Sequence, residues 1–427
     1  MRYLELSVEN QVIDNKTKRT TILTDSETAK KIEIFYEFDR EVLWSKRSPV
    51  DANVLAVLLH AAEQGKDLRV NGIMSAKAIR NMEELLLAWN CWKPDLYKKI
   101  DIIPNEVINI HKSGDKQKAI TLFSGGVDAI FNILNNKDSK IPEYKRYDVN
   151  TALMVHGFDI DIYNHKDFTK LMKRTSPLLD ELSIDLRTIR TNSRELRMQK
   201  WDDSHGLELA ACLLMYGDEF DFGLIGSSDP YDEFLLPWGS SPVTDFMMSN
   251  NMMEIIHYGA GFSRTEKVAK IAQNNTASEV LKVCWAGGDQ SGNCGCCEKC
   301  TRTRLNFLAT GMIETPACFS GDINIKNVEG MDIKTEGKLS EIKSIASYAR
   351  EHGVRGDWLE LIERRIEQWE PSAELLEKRS QIRKYAEKPE KKTLKQKIAD
   401  LISCMGFSDT IKKIWRKARR GVLTHMF

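Results

Sequence analysis

Residues 119–129 read AITLFSGGVDA, an apolar run followed by a glycine turn and the start of a helical pattern. A buried strand reads as a continuous apolar run, and paired glycines let backbone N–H groups approach an anion closely. The first turn of a following helix adds partial positive charge at the same place. The stretch therefore predicts a phosphate-binding turn at the carboxyl end of a buried strand.

Further apolar runs of strand length alternate with helical patterns around this turn. The predicted strands are 119–123, 151–156, 186–190, 220–225 and 253–257, and the predicted helices between them are 129–136, 167–182 and 206–216. Such repeated units are typical of an α/β fold with a parallel sheet covered on both faces. Ligands bind beyond the carboxyl ends of such strands, so we expect the loops that follow them to converge on one crevice.

The chain divides into three regions by pattern. Residues 1–112 read as an accessory α/β domain, with a strand at 32–38 and helices at 53–64 and 76–92, and carry no chemical motif. Residues 113–320 hold the glycine turn and a cysteine cluster. Residues 321–427 are predicted to be helical, and 371–427 contain 15 Lys and Arg against 6 Asp and Glu.

The basic segment 411–420 has the pattern of a cationic amphipathic helix. Nucleic acid, an acidic partner protein, a membrane surface, or simple packing on the domain all remain open as its role. The whole chain has 62 basic and 62 acidic residues, so its net charge favours none of these partners. It has neither an apolar run of about 18 residues nor a signal-peptide pattern, and we expect a cytoplasmic protein without a membrane span.

Four cysteines follow the pattern C-x9-C-x2-C-x2-C: Cys284, Cys294, Cys297 and Cys300. Four thiolates suit tetrahedral Zn²⁺, and each C-x2-C pair presents two sulfurs from one turn of backbone. An iron–sulfur cluster is the alternative ligand for such closely spaced cysteines. We expect a structural zinc site, with Cys296 as an extra thiol that points away.

The glycine turn followed by this cysteine pattern resembles the 7-cyano-7-deazaguanine synthases, the QueC family of PP-loop ATP-pyrophosphatases. The resemblance covers roughly residues 119–311. It implies a HUP-type parallel sheet with a PP-loop and a zinc knuckle. It also implies ATP, Mg²⁺, structural zinc, and adenylation of a 7-deazaguanine carboxylate followed by attack of ammonia.

The resemblance assigns candidate residues to each ligand. The candidates for ATP binding are Phe123, Ser124, Gly125, Gly126, Val127, Asp128, His156 and Gly157. The candidates for substrate contact are Gly226, Ser227, Asp229 and Asp232. The catalytic candidates are Ser124, Asp128, Arg264 and Lys267, with Arg264 as the first choice for the cation that approaches phosphate and Asp128 as a Mg²⁺ ligand or loop-orienting group.

Two departures from the family pattern affect the expected reaction. Ala129 stands where the family has serine, and residues 236–242 lack the family's tyrosine-proline-aspartate-cysteine stretch. Together with the added flanking regions, this makes the chain similar to QueC-like proteins of bacterial anti-phage defence clusters, of the Qat or CBASS-associated kind. In that branch an amine on a partner protein from the same gene cluster replaces ammonia. A tRNA-modifying PP-loop enzyme and a non-catalytic nucleotide-sensing scaffold are the alternatives.

Overall fold

A ten-stranded, mostly parallel sheet forms the centre of the fold. The computed structural model describes residues 2–45, 47–109, 117–233, 236–284, 286–319, 321, 323–333 and 335–371. The strands are β1 Tyr3–Ile13, β2 Lys16–Asp25, β3 Lys31–Phe38, β4 Asp67–Ser75, β5 Ile102–Ile108, β6 Lys118–Leu122, β7 Asp148–His156, β8 Asp185–Thr191, β9 Phe222–Gly226 and β10 Glu254–Tyr258. Their order in the sheet is β10-β9-β6-β7-β8-β3-β2-β1-β4-β5.

Strands β6 to β10 are all parallel to their neighbours within this group. The chain first builds outward from β6 through β7 to β8, and then returns to the other side of β6 with β9 and β10. The order therefore reverses between β6 and β9. In open α/β sheets a crevice forms at such a switch point, beyond the carboxyl ends of the strands. All five strands coincide with predicted ones to within three residues at each end.

The first five strands continue the same sheet. β3 pairs with β8 in antiparallel register, with Phe38 opposite Ile189, and β1 and β2 form a long hairpin. Asp14 and Asn15 at the hairpin turn both have positive φ, of 50° and 58°. One sheet thus runs from the region predicted as 1–112 into the region predicted as 113–320.

Twelve α-helices accompany the sheet in the described residues. They are α1 Asp51–Leu55, α2 Leu58–Gln64, α3 Ala76–Trp92, α4 Val127–Lys137, α5 His165–Glu181, α6 Trp201–Leu214, α7 Arg264–Ala272, α8 Asn275–Val280, α9 Glu298–Ala309, α10 Ile325–Glu329, α11 Glu336–Glu351 and α12 Asp357–Glu367. The helix predicted at 53–64 is instead two short helices. No helix among the described residues has the length and apolar character needed to cross a membrane.

Two large apolar clusters pack on the sheet, and a third lies among α9 to α12. Residues through Trp369 form one compact unit. Residues 372–427 lie outside the described residues. The predicted basic helix at 411–420 falls there.

Candidate functional site

The glycine turn lies between β6 and α4, at the switch point of the sheet. Gly125 has φ of +72°, a left-handed conformation that side chains disfavour, and Gly126 is the N-cap of α4. The backbone N–H of Gly126 donates to Ser124 Oγ at 3.3 Å. The N-terminus of an 11-residue helix therefore opens onto the crevice, with the positive end of its dipole in the turn.

Asp128, in the first turn of α4, is held by a lysine from a distant helix. Lys267 of α7 donates from Nζ to Asp128 Oδ1 at 2.9 Å and to the carbonyl oxygen of Ser227 at 2.5 Å. The Lys267 side chain is 1% exposed. This buried ammonium thus joins the turn after β6 to the end of β9.

Arg264 is the second cation at this carboxylate. Its Nη1 lies 3.8 Å from Asp128 Oδ2, and its side chain is 10% exposed. Its Nε has no hydrogen-bond partner among the described residues. Arg264 therefore has a buried donor without a partner, whereas the donors of Lys267 are bonded to the protein itself.

The charges at this site alter the ionisation of both nearby carboxylates. Burial opposes ionisation of Asp128, but the charges of Lys267 and Arg264 outweigh it and lower the pKa of Asp128. Burial raises the pKa of Asp229, and the negative charge of Asp128 adds to that rise. The pKa of Asp128 is thus lowered, whereas the pKa of the neighbouring Asp229 is raised.

The other substrate candidates follow β9. Gly226 packs directly on α4, since a Cβ at this position would lie 3.1 Å from Asp128 Cβ. The Ser227 hydroxyl donates to the backbone oxygen of Asp229 at 2.5 Å and is buried. Asp232 is exposed and lies on a separate groove beside α11. The structure therefore brings Gly226, Ser227 and Asp229 to the switch point and leaves Asp232 at its periphery.

A largely apolar cavity of about 200 Å³ adjoins the glycine turn. Its polar lining residues are Ser124, Asp128 and Asp159. Aliphatic side chains and aromatic rings from the β7 loop, α5 and α6 form most of the remainder, the rings being those of Phe158, Phe168 and Trp201. Phe123 also lines it. The cavity therefore combines an apolar, aromatic-lined part with polar side chains beside the glycine turn.

The contacts of His156 and Gly157, at the end of β7, are with the surrounding fold. The His156 ring is stacked on Phe168 with centroids 4.3 Å apart and hydrogen-bonded through Nε2 to the backbone oxygen of Asp161. Burial lowers its pKa, which keeps the imidazole neutral. A Cβ at Gly157 would lie 2.0 Å from the Thr191 carbonyl oxygen, so the close approach of β8 requires glycine there. Neither residue lines the cavity in the described structure.

The four predicted cysteines form one group, with all four Sγ atoms within 4.8 Å of one another. Cys284 and Cys297 are 3.8 Å apart at sulfur, and Cys294 and Cys300 are 3.9 Å apart. Zn–S bonds of about 2.3 Å in a tetrahedron place sulfurs about 3.8 Å apart, so the group fits a zinc ion. Gly295, with φ of +74°, lies in the turn between Cys294 and Cys297. Cys296 is exposed, but its sulfur lies 3.7 Å from that of Cys294, so the prediction that this thiol points away from the group was wrong.

The cysteine group also positions a cation that the sequence analysis missed. Cys297 is the N-cap of α9, and Lys299 lies in the first turn of that helix. Burial lowers the pKa of Lys299 to about 8, and the charge of Arg264 contributes to the same shift. Because Lys299 and Asp128 are near enough to affect each other's pKa, the cysteine group and the glycine turn belong to one electrostatic environment. The sequence signal for this lysine was its place between Cys297 and Cys300.

Comparison with known proteins finds no matching family model, no matching curated protein and no matching solved structure.

Proposed function

We propose that this protein is an ATP-dependent adenylating enzyme of the QueC-like, PP-loop type with a HUP-type core and a structural zinc ion. The observation that carries the proposal is the position of the glycine turn: it opens the N-terminus of α4 at the switch point, beside Asp128, Lys267 and Arg264. Backbone N–H groups and a helix N-terminus suit a phosphate chain, and the adjoining apolar cavity suits a nucleobase.

Each residue then has a task in the activation step. A carboxylate oxygen of the substrate attacks the α-phosphorus of ATP, the bond to pyrophosphate breaks, and an acyl adenylate forms. Both reactants are anions, so the work of the site is to hold them together against their repulsion. Arg264, with its free Nε donor, contacts phosphate oxygens. Lys267 positions Asp128, and Ser124 donates its hydroxyl to the phosphate chain.

Asp128 provides a carboxylate of the kind that binds Mg²⁺. Mg²⁺ is commonly held by one or two carboxylates together with substrate phosphates. Asp128 Oδ2 is the oxygen that is not bonded to Lys267, and Asp229 is the neighbouring carboxylate. The ion would offset part of the phosphate charge. Zinc, held by the four cysteines, would keep α9 and Lys299 in place.

The second step transfers the activated acyl group to an amine. The amine nitrogen attacks the acyl carbon, the bond to AMP breaks, and the nitrogen loses a proton, for which Asp229 is the nearby acceptor. We propose a 7-deazaguanine-type carboxylate as the acyl donor, from the resemblance to the QueC family. The acceptor is ammonia or an amine of a partner protein, and the departures at Ala129 and 236–242 favour the partner protein and a defence role.

Isotope exchange tests adenylation directly. Label from pyrophosphate is expected to enter ATP when 7-carboxy-7-deazaguanine is supplied, and to stop in the Arg264→Gln variant. Intact-mass measurement of proteins encoded by neighbouring genes, co-expressed with wild type or with Asp128→Asn, then identifies the acceptor. Pyrophosphate–ATP exchange that does not require 7-carboxy-7-deazaguanine contradicts the proposal, and so does the absence of exchange under every condition.

A nucleotide-sensing scaffold is the second candidate, and Ala129 is the observation that favours it. Ala129 lines the cavity beside Asp128, so a serine hydroxyl at this position would have reached the phosphate site. Without it, nucleotide binding without turnover is the expected behaviour. ATP binding by calorimetry with no exchange would support the scaffold.

A further inference from the structure

A short buried segment, residues 281–284, connects the cysteine group with the glycine turn. It runs from Leu281, the C-cap of α8, to Cys284, and all four of its residues are buried. The backbone N–H of Lys282 donates to the Gly125 carbonyl oxygen at 2.8 Å. The segment is therefore bonded to the glycine turn through Lys282 and belongs to the cysteine group through Cys284.

The side chain of Asn293 fixes the geometry of this segment. Its Oδ1 accepts hydrogen bonds from the backbone N–H groups of Val283, at 2.8 Å, and Cys284, at 3.2 Å. Its Nδ2 donates to the Leu281 carbonyl oxygen at 2.8 Å. Asn293 directly precedes Cys294 in the chain. Its side chain thus joins Cys284 to the part of the chain that carries the other three cysteines.

The segment and the glycine turn are packed closely together. Arg174 of α5 donates from Nη2 to the Leu281 carbonyl oxygen at 3.2 Å, which adds a second side chain to those that hold the segment. A Cβ at Gly125 would lie 3.9 Å from Lys282 Cβ, which is ordinary van der Waals contact. Because close-packed interiors transmit strain, a displacement of Cys284 and its neighbours is expected to reach the turn.

These contacts provide a route from metal binding to the glycine turn. Groups that hold metal ligands in place orient those ligands, and losing one typically lowers metal affinity about 10–100-fold. We propose that Asn293 is a positioning residue that makes the order of the glycine turn depend on metal binding by the four cysteines. The consequence for nucleotide affinity rests on the proposed adenylating function, whereas the effects on metal affinity and on the turn do not.

Hydrogen–deuterium exchange of the full-length protein, loaded with zinc or depleted of it by a chelator, tests the coupling without any nucleotide. Zinc removal is expected to speed exchange in residues 119–129 at least about fivefold, the usual lower size of a coupling between sites. Exchange in β4 is the internal reference and is expected to stay unchanged, because local opening leaves distant elements protected.

Alanine variants of two asparagines then test the role of the side chain. Asn293→Ala is expected to lower zinc affinity about 10–100-fold in competition with a chromogenic chelator, and to speed exchange in 119–129 even at saturating zinc. The matched control is Asn192→Ala. The Asn192 side chain also bridges backbone groups, accepting from the Phe35 N–H at 2.9 Å and donating to the Glu33 carbonyl oxygen at 3.0 Å. This control should keep wild-type zinc affinity and wild-type exchange in 119–129.

Binding of α,β-methylene-ATP, which cannot release pyrophosphate, tests the consequence for the candidate site. Because linkage is reciprocal, a saturating concentration should tighten zinc binding by wild type at least about fivefold, and by less in Asn293→Ala.

The outcomes separate this proposal from the proposed function. Exchange in 119–129 that is the same with and without zinc overturns the proposal, and so does exchange that rises equally in 119–129 and β4. Wild-type zinc affinity in Asn293→Ala overturns it as well. If wild type does not bind the ATP analogue but its exchange in 119–129 still depends on zinc, the adenylating function is contradicted and the coupling stands.

Discussion

The ammonium nitrogen of Lys267 lies 2.9 Å from Oδ1 of Asp128, although 139 residues separate the two along the chain. The Lys267 side chain is 1% exposed, and its ammonium nitrogen also donates to the Ser227 carbonyl oxygen. One buried cation therefore connects the glycine turn after β6 to the end of β9.

Removing Asp128 should destabilise the protein most, because it leaves the buried ammonium of Lys267 without its carboxylate, whereas removing Lys267 leaves a partly exposed Asp128 that still has Arg264 nearby. We expect Asp128→Asn to lower the free energy of unfolding by about 3 kcal/mol and Lys267→Met to lower it by less. The double variant should lose less than the sum, by about 1–3 kcal/mol. Chemical denaturation of all four proteins measures this coupling. Additive losses would show that the pair does not act as a unit.

Arg264 should matter for turnover and little for stability. Its Nε has no protein partner in the described structure, and its nearest carboxylate oxygen is 3.8 Å away. We expect Arg264→Gln to lower kcat/KM for ATP by about 10²–10³. Lys270→Gln is the control: it lies on the same helix but pairs with Asp138, away from the crevice. Equal effects of the two changes on kcat/KM would exclude a phosphate contact by Arg264.

The close contact between β9 and α4 should be sensitive to one methyl group. A Cβ at Gly226 would lie 3.1 Å from Asp128 Cβ and 3.3 Å from the Asn132 side-chain nitrogen. We expect Gly226→Ala to displace Asp128 and to lower pyrophosphate exchange about tenfold, because small misplacements of a catalytic group are costly. Gly337→Ala, where a Cβ meets no atom within 4 Å, is the control. Unchanged exchange in Gly226→Ala would mean that α4 accommodates the methyl group.

The parallel half of this fold was predictable, and the reason is burial. Strands β6, β7 and β9 are mostly buried and read as apolar runs, and β8 and β10 each contain isoleucine within a short strand pattern, so the local sequence located all five. The hairpin β1–β2 was missed because its strands are rich in charged and polar residues, although Asp14-Asn15 was a usable turn signal. The pairing of β3 with β8 and of Lys267 with Asp128 depends on contacts distant in sequence, for which the local pattern holds no signal. The cysteine group was predictable because three of its four members, Cys294, Cys297 and Cys300, lie close together in the chain.

The cysteine group should hold about one zinc ion per chain and contribute to folding. Cys297→Ser removes a ligand from the 3.8 Å pair with Cys284, and we expect loss of zinc and a lower melting temperature, since binding of a structural zinc adds directly to folding free energy. Cys91→Ser is the matched control because this thiol is exposed, lies on α3 and is outside the group of four. Metal analysis measures the zinc content of each protein, and thermal denaturation measures its melting temperature. Iron with visible absorption in the purified protein, or stable metal-free Cys297→Ser, would contradict a structural zinc site.

Asp51 should make stability fall as pH rises. It is 1% exposed and accepts hydrogen bonds from the backbone N–H and hydroxyl of Ser75 and from the Asn250 side chain. Burial raises its pKa from 3.8 to about 6, so the folded protein holds this proton more tightly than the unfolded chain. The resulting stabilisation is complete below pH 3.8 and is lost as pH rises through about 6, a loss of about 3 kcal/mol. Asp51→Asn imitates the protonated carboxyl and removes this titration. Chemical denaturation of both proteins at several pH values from 4 to 7 should therefore show the wild type losing stability relative to the variant, whereas parallel curves would mean that the carboxyl titrates normally.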